Sequence, residues 1–167
     1  GIIENYQGVY PGVFSFMDYV NEFIKSNGYA YTIFGRRRNL PDVRSRDRSV
    51  VNRALRQGLN FTIQSTASDI LLCSLLGITK QFESRGMESK IVSTVHDSLE
   101  IISPNDETKD ACDIVYEEMV NYPYIRDKFS LNFDVPFAID TEVGSSFGDG
   151  HLVDYVDGAA TNIPQIL

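Results

Sequence analysis

The sequence has little cysteine and histidine and lacks a long apolar run, and each shortage excludes a class of protein. Its 167 residues include two cysteines and two histidines. Cys73 and Cys112 stand in helix-like stretches without metal-ligand spacing, so we expect small buried thiols instead of a disulfide or a metal site. No apolar run approaches about 18 residues and no signal pattern is visible, so we expect a soluble cytoplasmic protein with no membrane partner.

Charge is distributed unevenly along the chain. The net charge is −8, yet eight arginines and two acids lie between Arg36 and Arg56, so this window carries +6 and the remainder −14. Arginine stands in place of lysine throughout the window, which suits planar, paired hydrogen bonds to phosphates or base edges. A second interpretation stays open, in which the arginines are solvated and pair with acids of the same chain.

Helical spacing dominates the first half of the sequence. Residues 11–26 carry apolar side chains at helical spacing up to an Asn-Gly stop, which predicts a helix with one buried face. Residues 28–40 predict a short strand pair or an extended loop. The pattern is helical again over 45–85, but the poor helix formers of residues 60–63 predict two consecutive helices, with Thr62 capping the second.

A histidine and an aspartate stand between two strand-like runs, 91–95 and 98–102. These runs predict a hairpin with His96 and Asp97 in a tight turn or bulge. An aspartate at the end of a strand is rigidly aimed, which suits Mg²⁺, because this ion takes few protein carboxylates in near-octahedral geometry. Two other interpretations stay open: an ordinary turn residue without a ligand, and a metal hydrolase whose histidines and aspartates converge from several helices.

The remaining segments complete the prediction of the fold class. Residues 107–120 predict a helix and residues 132–141 contain a predicted strand, whereas residues 150–167 are expected to form a C-terminal tail. Helices in succession with an antiparallel hairpin and one further strand indicate the α+β class. We therefore expect helices packed on a small antiparallel sheet with a central His-Asp hairpin.

Polar side chains at helical spacing follow the arginine-rich window. Arg56, Asn60 and Gln64 stand at i, i+4 and i+8 and share a face if the helix is maintained, with Thr66 and Asp69 just beyond. Arginine, asparagine and glutamine hydrogen-bond base edges and sugar-phosphate oxygens. Spacing alone does not distinguish such a face from an ordinary solvated one.

Five ordered motifs give the chain a resemblance to family A DNA polymerases, the group of bacterial DNA polymerase I and many phage replicative enzymes. The resemblance covers Tyr6 to Asp149 and most closely concerns the carboxy-terminal part of that domain, so residues 1–149 are expected to be palm with adjoining helices. The motifs are NYQGVYPGVFSFM, GYAYTIFGRRRNLPD, NFTIQSTASDIL, VHDSLEIISP and FDVPFAIDTEVGSSFGD.

The resemblance implies roles for individual residues. VHDSLE is similar to the third polymerase motif on the palm hairpin, which would make Asp97 one of two catalytic metal-binding aspartates and His96 a neighbour of the primer terminus. The face of Arg56, Asn60 and Gln64, together with Thr66, resembles the helix that lies along the minor groove near the primer end. The triple arginine would lie near the duplex backbone; its members are Arg36, Arg37 and Arg38.

What the resemblance implies for the reaction is template-dependent deoxynucleotidyl transfer to a primer 3′ end during DNA replication. The implied cofactor is Mg²⁺, with two ions in the complete enzyme, and the implied partners are primer-template DNA and deoxynucleoside triphosphates. A phage-encoded enzyme would work in the host cytoplasm. The sequence departs from the family pattern at Thr62, where proline is usual, at Ser65 for glycine, at Ser98 for glutamate and at Phe147 for tryptophan.

The chain has no counterpart of the motif that supplies the second metal-binding aspartate, or of the fingers helix that binds the triphosphate. Substitution by Asp69, Glu100 or Asp140 is disfavoured, because each has a simpler place on a helix or strand face. We therefore expect a chain that is inactive alone and needs the missing polymerase portion, in cis or as a separate chain. The alternatives are a non-catalytic duplex-DNA-binding module and an unrelated metal hydrolase.

Overall fold

The computed structural model describes residues 2–164, with side chains from residue 6 onward. Within this range helices combine with small antiparallel sheets, as expected for the α+β class. The single small sheet that we predicted is replaced by four separate two-stranded sheets among the described residues. The chain divides into two compact units, one up to Asp69 and the other from Ile70.

The first unit begins with two helices. Helix α1 spans Ile2–Val9 and helix α2 spans Pro11–Asn27. Proline suits the first turn of α2, and Gly28 ends the helix in the left-handed conformation with φ of 78°, its N–H donating to the Ile24 carbonyl. The predicted helix of residues 11–26 is therefore confirmed, along with its stop.

A hairpin and a long helix complete the first unit. Strand β1 (Tyr29–Tyr31) pairs with β2 (Arg37–Asn39), and a 3₁₀ turn over Pro41–Arg44 leads to helix α3, Arg48–Ser84. The first part of α3 belongs to this unit. Its core consists of apolar side chains of α2, the hairpin and α3: Val20, Ile24, Ala30 and Leu40, with Val43, Leu55, Leu59 and Phe61 packed around them.

The prediction of two helices between residues 45 and 85 is wrong, because α3 is one helix of 37 residues. Thr62 is not a cap: its hydroxyl donates to the Gly58 carbonyl at 3.1 Å, as a threonine inside a helix does. Phe61 packs against the core of the first unit. Tertiary packing thus outweighs the weak helix propensity of residues 60–63.

The second unit contains the rest of α3 and the second hairpin. Strand β3 (Lys90–Val95) pairs with β4 (Ser98–Ile102), followed by α4 (Thr108–Tyr116), a π-helical segment (Glu117–Asn121) and α5 (Pro123–Phe129). The core of the unit is formed by Ile78, Phe82, Ala111, Ile114 and Val115. Met87, Ile91, Leu99, Ile101, Met119 and Ile139 pack against it.

The predicted strand within residues 132–141 is wrong, since the described structure there is irregular. The Tyr122 hydroxyl lies 3.1 Å from the Phe133 carbonyl and 3.2 Å from the Phe133 N–H, and so occupies the two groups that a neighbouring strand would use. The Tyr122 and Phe137 rings pack on the Phe133 ring. Pro136 removes a further donor from the same segment.

Short strands follow this irregular segment. They are β5 (Glu142–Val143), which pairs with β6 (His151–Leu152), and β7 (Tyr155–Val156), which pairs with β8 (Ala159–Ala160). Val153 and Ala160 are buried with Cys112 in a small cluster. Residues 151–160, whose order the sequence left open, therefore pack in the structure. Both cysteines are buried thiols, as predicted.

Helix α3 is long and apolar enough by composition to cross a membrane, although the sequence has no uninterrupted apolar run. The core helix of an ordinary protein meets the same criterion. Two polar contacts favour a helix packed in protein: Asp69 pairs with Arg36, and the Ser74 hydroxyl donates to the Glu118 carbonyl. Such groups are costly against lipid.

Candidate nucleic-acid interface and metal site

Helix α3 brings three of the predicted contact residues together. Because the helix is continuous, Arg56, Asn60 and Gln64 lie on one face, within about 80° of one another at 100° per residue. All three side chains are exposed. This face can therefore present a guanidinium, a carboxamide and a second carboxamide to a ligand along about 12 Å of helix.

Thr66 does not share that face. It lies about 200° around the helix from Gln64. Its side chain is half-buried, and its hydroxyl donates to the Thr62 carbonyl at 2.6 Å. The hydroxyl proton is therefore committed inside the helix, while the oxygen retains its capacity to accept.

The three consecutive arginines lie at the end of the first hairpin. Gly35 has φ of 83° in the turn, and the Thr32 N–H donates to the Arg36 carbonyl at 2.9 Å. Side chains alternate along the strand, so Arg36 and Arg38 point to one side and Arg37 to the other. The Arg37 guanidinium lies 3.5 Å from the centre of the Tyr29 ring.

Arg36 and Arg38 both approach Phe61 on α3. Their guanidinium carbons lie 5.5 Å and 6.0 Å from the centre of that ring. Arg36 also forms an ion pair with Asp69, with Nη2 to Oδ1 at 2.8 Å, and donates to the Ser65 carbonyl at 3.1 Å. The three arginines are therefore not equivalent, because Arg36 has the most contacts within the chain.

Ion pairs account for only part of the arginine-rich window. Besides Arg36, the described part of the chain pairs Arg53 with Asp42, with 3.7 Å between nitrogen and oxygen and both side chains exposed. Arg46 and Arg56 are exposed. The interpretation in which the arginines pair within the chain therefore explains some of the window but leaves exposed positive charge for an anionic ligand.

The second hairpin presents His96 and Asp97 in its two-residue turn. Val95 and Ser98 are the last pair of the ladder, and His96 adopts φ of 55°. Positive φ at a residue other than glycine is uncommon and suits a tight hairpin turn. Asp97 is exposed there.

A bulge, which the sequence did not reveal, lies in β3. Ile91 pairs with Ile101 and Ser93 pairs with Glu100, so Val92 is an extra residue without a partner in β4. A bulge increases the local twist and re-aims the end of a hairpin. Register in this hairpin therefore depends on position 92 as well as on the turn.

The two faces of β4 have different surroundings. Leu99 and Ile101 pack against the core of the second unit, so Ser98 and Glu100 lie on the opposite face. The Ser98 hydroxyl lies 3.3 Å from a Glu100 carboxylate oxygen and 3.0 Å from the Val95 carbonyl. Asp97 and Glu100 are thus the two acids nearest in sequence to the turn.

The hairpin turn offers one candidate metal ligand. Asp97 offers an exposed carboxylate of the kind that Mg²⁺ prefers. Among the described residues no group of three or more histidine, cysteine or acidic side chains could hold a metal ion. Asp97 could therefore supply one ligand to a metal ion, and the described residues do not offer a complete ligand set.

Sequence reasoning missed two features of the carboxylates. Asp69, considered only as a helix-face acid, is 8% exposed and binds Arg36. Glu118 is 3% exposed, and one of its carboxylate oxygens has no hydrogen-bond partner among the described residues. Helical spacing alone could not identify the Arg36 and Gln81 contacts, because Arg36 lies 33 residues from Asp69 and Gln81 lies 37 residues from Glu118.

Comparison with known proteins gives a consistent result. Residues 1–149 match the family model described as DNA polymerase family A. The DNA polymerase of Bacillus phage SP01 is 34% identical over 147 residues, which cover 88% of this chain and 16% of that protein. DNA polymerase I of Treponema pallidum is 33% identical over 149 residues, which cover 89% of this chain and 14% of that protein.

A solved structure shows the same similarity in three dimensions. It is the POL domain of Pol1 from M. smegmatis in complex with DNA primer-template and dNTP, with a TM-score of 0.72 and 30% sequence identity. The match covers 80% of this chain and 22% of that one. The chain thus spans about one sixth of the length of the curated relatives named above.

Proposed function

Because the chain belongs to DNA polymerase family A, we propose that it is part of a DNA-directed DNA polymerase that extends a primer 3′ end from deoxynucleoside triphosphates. The observation that carries this proposal is the exposed Asp97 in the turn of a β-hairpin, within the 149 residues that match the family. Residues 1–149 are then the carboxy-terminal part of the polymerase domain, and residues 150–167 are a tail.

The proposed palm hairpin is β3 and β4. Asp97 serves as a metal ligand, and His96, its neighbour in the turn, lies near the primer terminus. Two Mg²⁺ ions, when bound, would activate the primer 3′-hydroxyl and neutralise charge on the triphosphate. The strands hold Asp97 in a fixed direction, because Leu99 and Ile101 anchor the hairpin to its core.

The proposed DNA contacts lie in the first unit. Arg56, Asn60 and Gln64 face the minor groove, where acceptors at common positions in all base pairs permit a test of pairing geometry without reading sequence. Arg37 and Arg38 lie near the duplex backbone and supply positive charge. Thr66 offers only its oxygen as an acceptor, because its proton is bound to Thr62.

The proposed enzyme requires a further polymerase portion, in cis or as a separate chain. The absence of a carboxylate cluster among the described residues supports this requirement, because two-metal catalysis needs ligands that clamp both ions. Exposed apolar side chains on the hairpin also support it, since Val92, Val95 and Ile102 are 56%, 47% and 66% exposed. We place the complete enzyme in the cytoplasm, or in the host cytoplasm for a phage-type polymerase.

Substitution of Asp97 tests the proposed role directly. In an enzyme reconstituted with the remaining polymerase portion, Asp97→Ala should lower the extension rate by several orders of magnitude and leave primer-template affinity nearly unchanged, because a lost metal ligand acts on the chemical step. Single-turnover extension and fluorescence anisotropy measure the two quantities. Asp106→Ala, which removes an exposed acid from the same unit, is the matched control. A rate loss below about tenfold for Asp97→Ala would remove this residue from the metal site.

A further inference from the structure

Arg36 is held by three contacts on one helix. Its Nη2 lies 2.8 Å from Asp69 Oδ1 and 3.1 Å from the Ser65 carbonyl oxygen, and its guanidinium lies over the Phe61 ring. The contacts extend over two turns of α3, from Phe61 to Asp69. Both polar contacts come from one nitrogen, whose two N–H groups are fixed in the guanidinium plane while the guanidinium carbon lies over the Phe61 ring, and an ammonium ion has no such plane.

The two polar contacts, to Ser65 and Asp69, lie on the side of α3 opposite the proposed minor-groove face. At 100° per residue, Ser65 and Asp69 lie about 140° and 180° around the helix from Asn60, the middle residue of that face. Phe61, one residue after Asn60, lies about 100° from it. The Arg36 Nη2 atom therefore binds the back of the helix, away from Asn60.

Asp69 depends on Arg36 for its charge compensation. The Asp69 carboxylate is nearly buried, and its second oxygen, Oδ2, has no hydrogen-bond partner among the described residues. Removal of one partner from such a pair leaves the other charge buried and unpaired. Loss of Arg36 would therefore leave an uncompensated, nearly buried charge on this segment of the helix.

We infer that Arg36 is a positioning residue that clamps the back of α3, so that the segment carrying Gln64 presents a fixed surface to the primer-template. This inference deepens the proposed function and depends on it for the identity of the ligand. It reassigns Arg36 from a contact with the duplex backbone to a contact with the helix. Arg37 and Arg38 keep their proposed role at the backbone.

The charge-conserving substitution Arg36→Lys separates the two roles. A phosphate contact needs mainly positive charge, so lysine should keep primer-template affinity within about twofold of the unchanged chain. A clamp needs the planar guanidinium, which holds two N–H groups against Ser65 and Asp69 while its carbon lies over Phe61, so we expect about a tenfold loss of affinity with an unchanged slope of log K against log salt concentration. Fluorescence anisotropy with a labelled primer-template at several salt concentrations measures both.

Asp69→Asn tests whether primer-template binding becomes stronger or weaker when this carboxylate loses its charge. Removal of a negative charge near DNA would strengthen binding by electrostatics alone, but the clamp predicts weaker binding because the helix loses its anchor. Asp42→Asn is the matched control, since it removes the same charge from an exposed and longer ion pair with Arg53. We expect that control to bind as well as or better than the unchanged chain.

Two results would overturn the inference. One is Arg36→Lys binding like the unchanged chain while Arg36→Ala lowers the salt slope by about 0.9, the value for one phosphate contact. The other is independence of Arg36 and Asp69 in a double-mutant cycle of thermal unfolding. If the unchanged chain, mixed with the remaining polymerase portion, does not bind primer-template at any salt concentration, the proposed function fails. The unfolding cycle then decides by itself whether the clamp exists.

Discussion

Asp69 and Glu118 are both buried carboxylates, but among the described residues only Asp69 of the two forms an ion pair. Glu118 accepts a hydrogen bond from the Gln81 carboxamide at 3.4 Å, and its other oxygen lies against Gly77. Burial raises the pKa of the Glu118 carboxyl above its ordinary value, and the hydrogen bonds from the Gln81 side chain and the Tyr124 backbone offset only part of this effect. The nearby charges of Glu117 and Asp127 raise the pKa further.

The Glu118 carboxyl makes stability depend on pH in a definite direction. Its folded-state pKa is higher than its unfolded-state pKa, so the ionised form destabilises the fold and stability is lost as pH rises through the folded-state pKa. Glu118→Gln should therefore raise the unfolding temperature at pH 7 relative to the unchanged chain. The difference should shrink as pH falls below the ordinary pKa of glutamate. Calorimetry of both chains from pH 4 to pH 8 measures this difference, and a difference that stays constant over the range would show that Glu118 does not titrate as described.

Sequence reasoning at the residue scale succeeded where the chemistry is local. The face of Arg56, Asn60 and Gln64 follows from spacing once the helix is continuous, and the two buried cysteines follow from their apolar neighbours. The position of Asp97 in the hairpin turn belongs to the same class, whereas its role as a metal ligand stays a prediction. The contacts of Arg36 could not be predicted from the sequence, because its partners are 25 to 33 residues away along the chain and are ordinary residue types.

At the scale of secondary-structure elements, the main error of the sequence prediction was to divide helix α3 into two helices. Asn60, Phe61, Thr62 and Ile63 have low intrinsic helix propensity, yet the structure continues the helix through them. The reason is tertiary: Phe61 gains burial in the first core, and the Thr62 hydroxyl returns to the carbonyl four residues earlier. A propensity argument counts neither contribution, so it predicts a break.

Gly77 shows how closely α3 packs against Glu118 and Tyr124 in the second unit. A Cβ at Gly77 would lie 2.2 Å from a Glu118 carboxylate oxygen and 3.0 Å from the Tyr124 Cβ. The π-helical segment Glu117–Asn121 carries Glu118 to this position, and the Ser74 hydroxyl binds the Glu118 carbonyl at 3.1 Å. The close approach therefore requires glycine on α3.

Gly77→Ala should destabilise the chain although alanine is the better helix former. We expect a loss of about 1–3 kcal/mol in the free energy of unfolding, because the added methyl group displaces the buried Glu118 side chain. Gly12→Ala is the matched control: Gly12 lies in α2 and its Cβ would meet no atom within 4 Å. The control should be neutral or stabilising by up to about 1 kcal/mol. Equal effects of the two substitutions in urea denaturation would contradict the packing described here.

At the scale of the whole molecule, the distribution of charge is consistent with the similarity to DNA polymerases. The window from Arg36 to Arg56 carries +6 in a chain of net charge −8, as suits a surface for an anionic ligand in an otherwise acidic protein. The α+β class was predictable from alternating periodicities. The division into four small sheets was not, because pairing between distant strands depends on contacts that local pattern does not specify.

The chain covers only part of a family A polymerase, and this is the central claim. It matches DNA polymerase family A over residues 1–149 and spans about one sixth of the curated relatives, and the described residues hold no carboxylate cluster. On the proposed function, the chain supplies Asp97 and the helix face to a polymerase and depends on other residues for the remaining metal ligands and the triphosphate site.

Primer extension tests this claim most directly. The chain is assayed with Mg²⁺, four deoxynucleotides and a labelled primer-template, alone and mixed with a protein that supplies the remaining palm motif and the fingers. We predict incorporation only in the mixture. Incorporation by the chain alone would show that its 167 residues contain a complete two-metal site, and no incorporation by a mixture that assembles into a stable complex would contradict the assignment of polymerase activity.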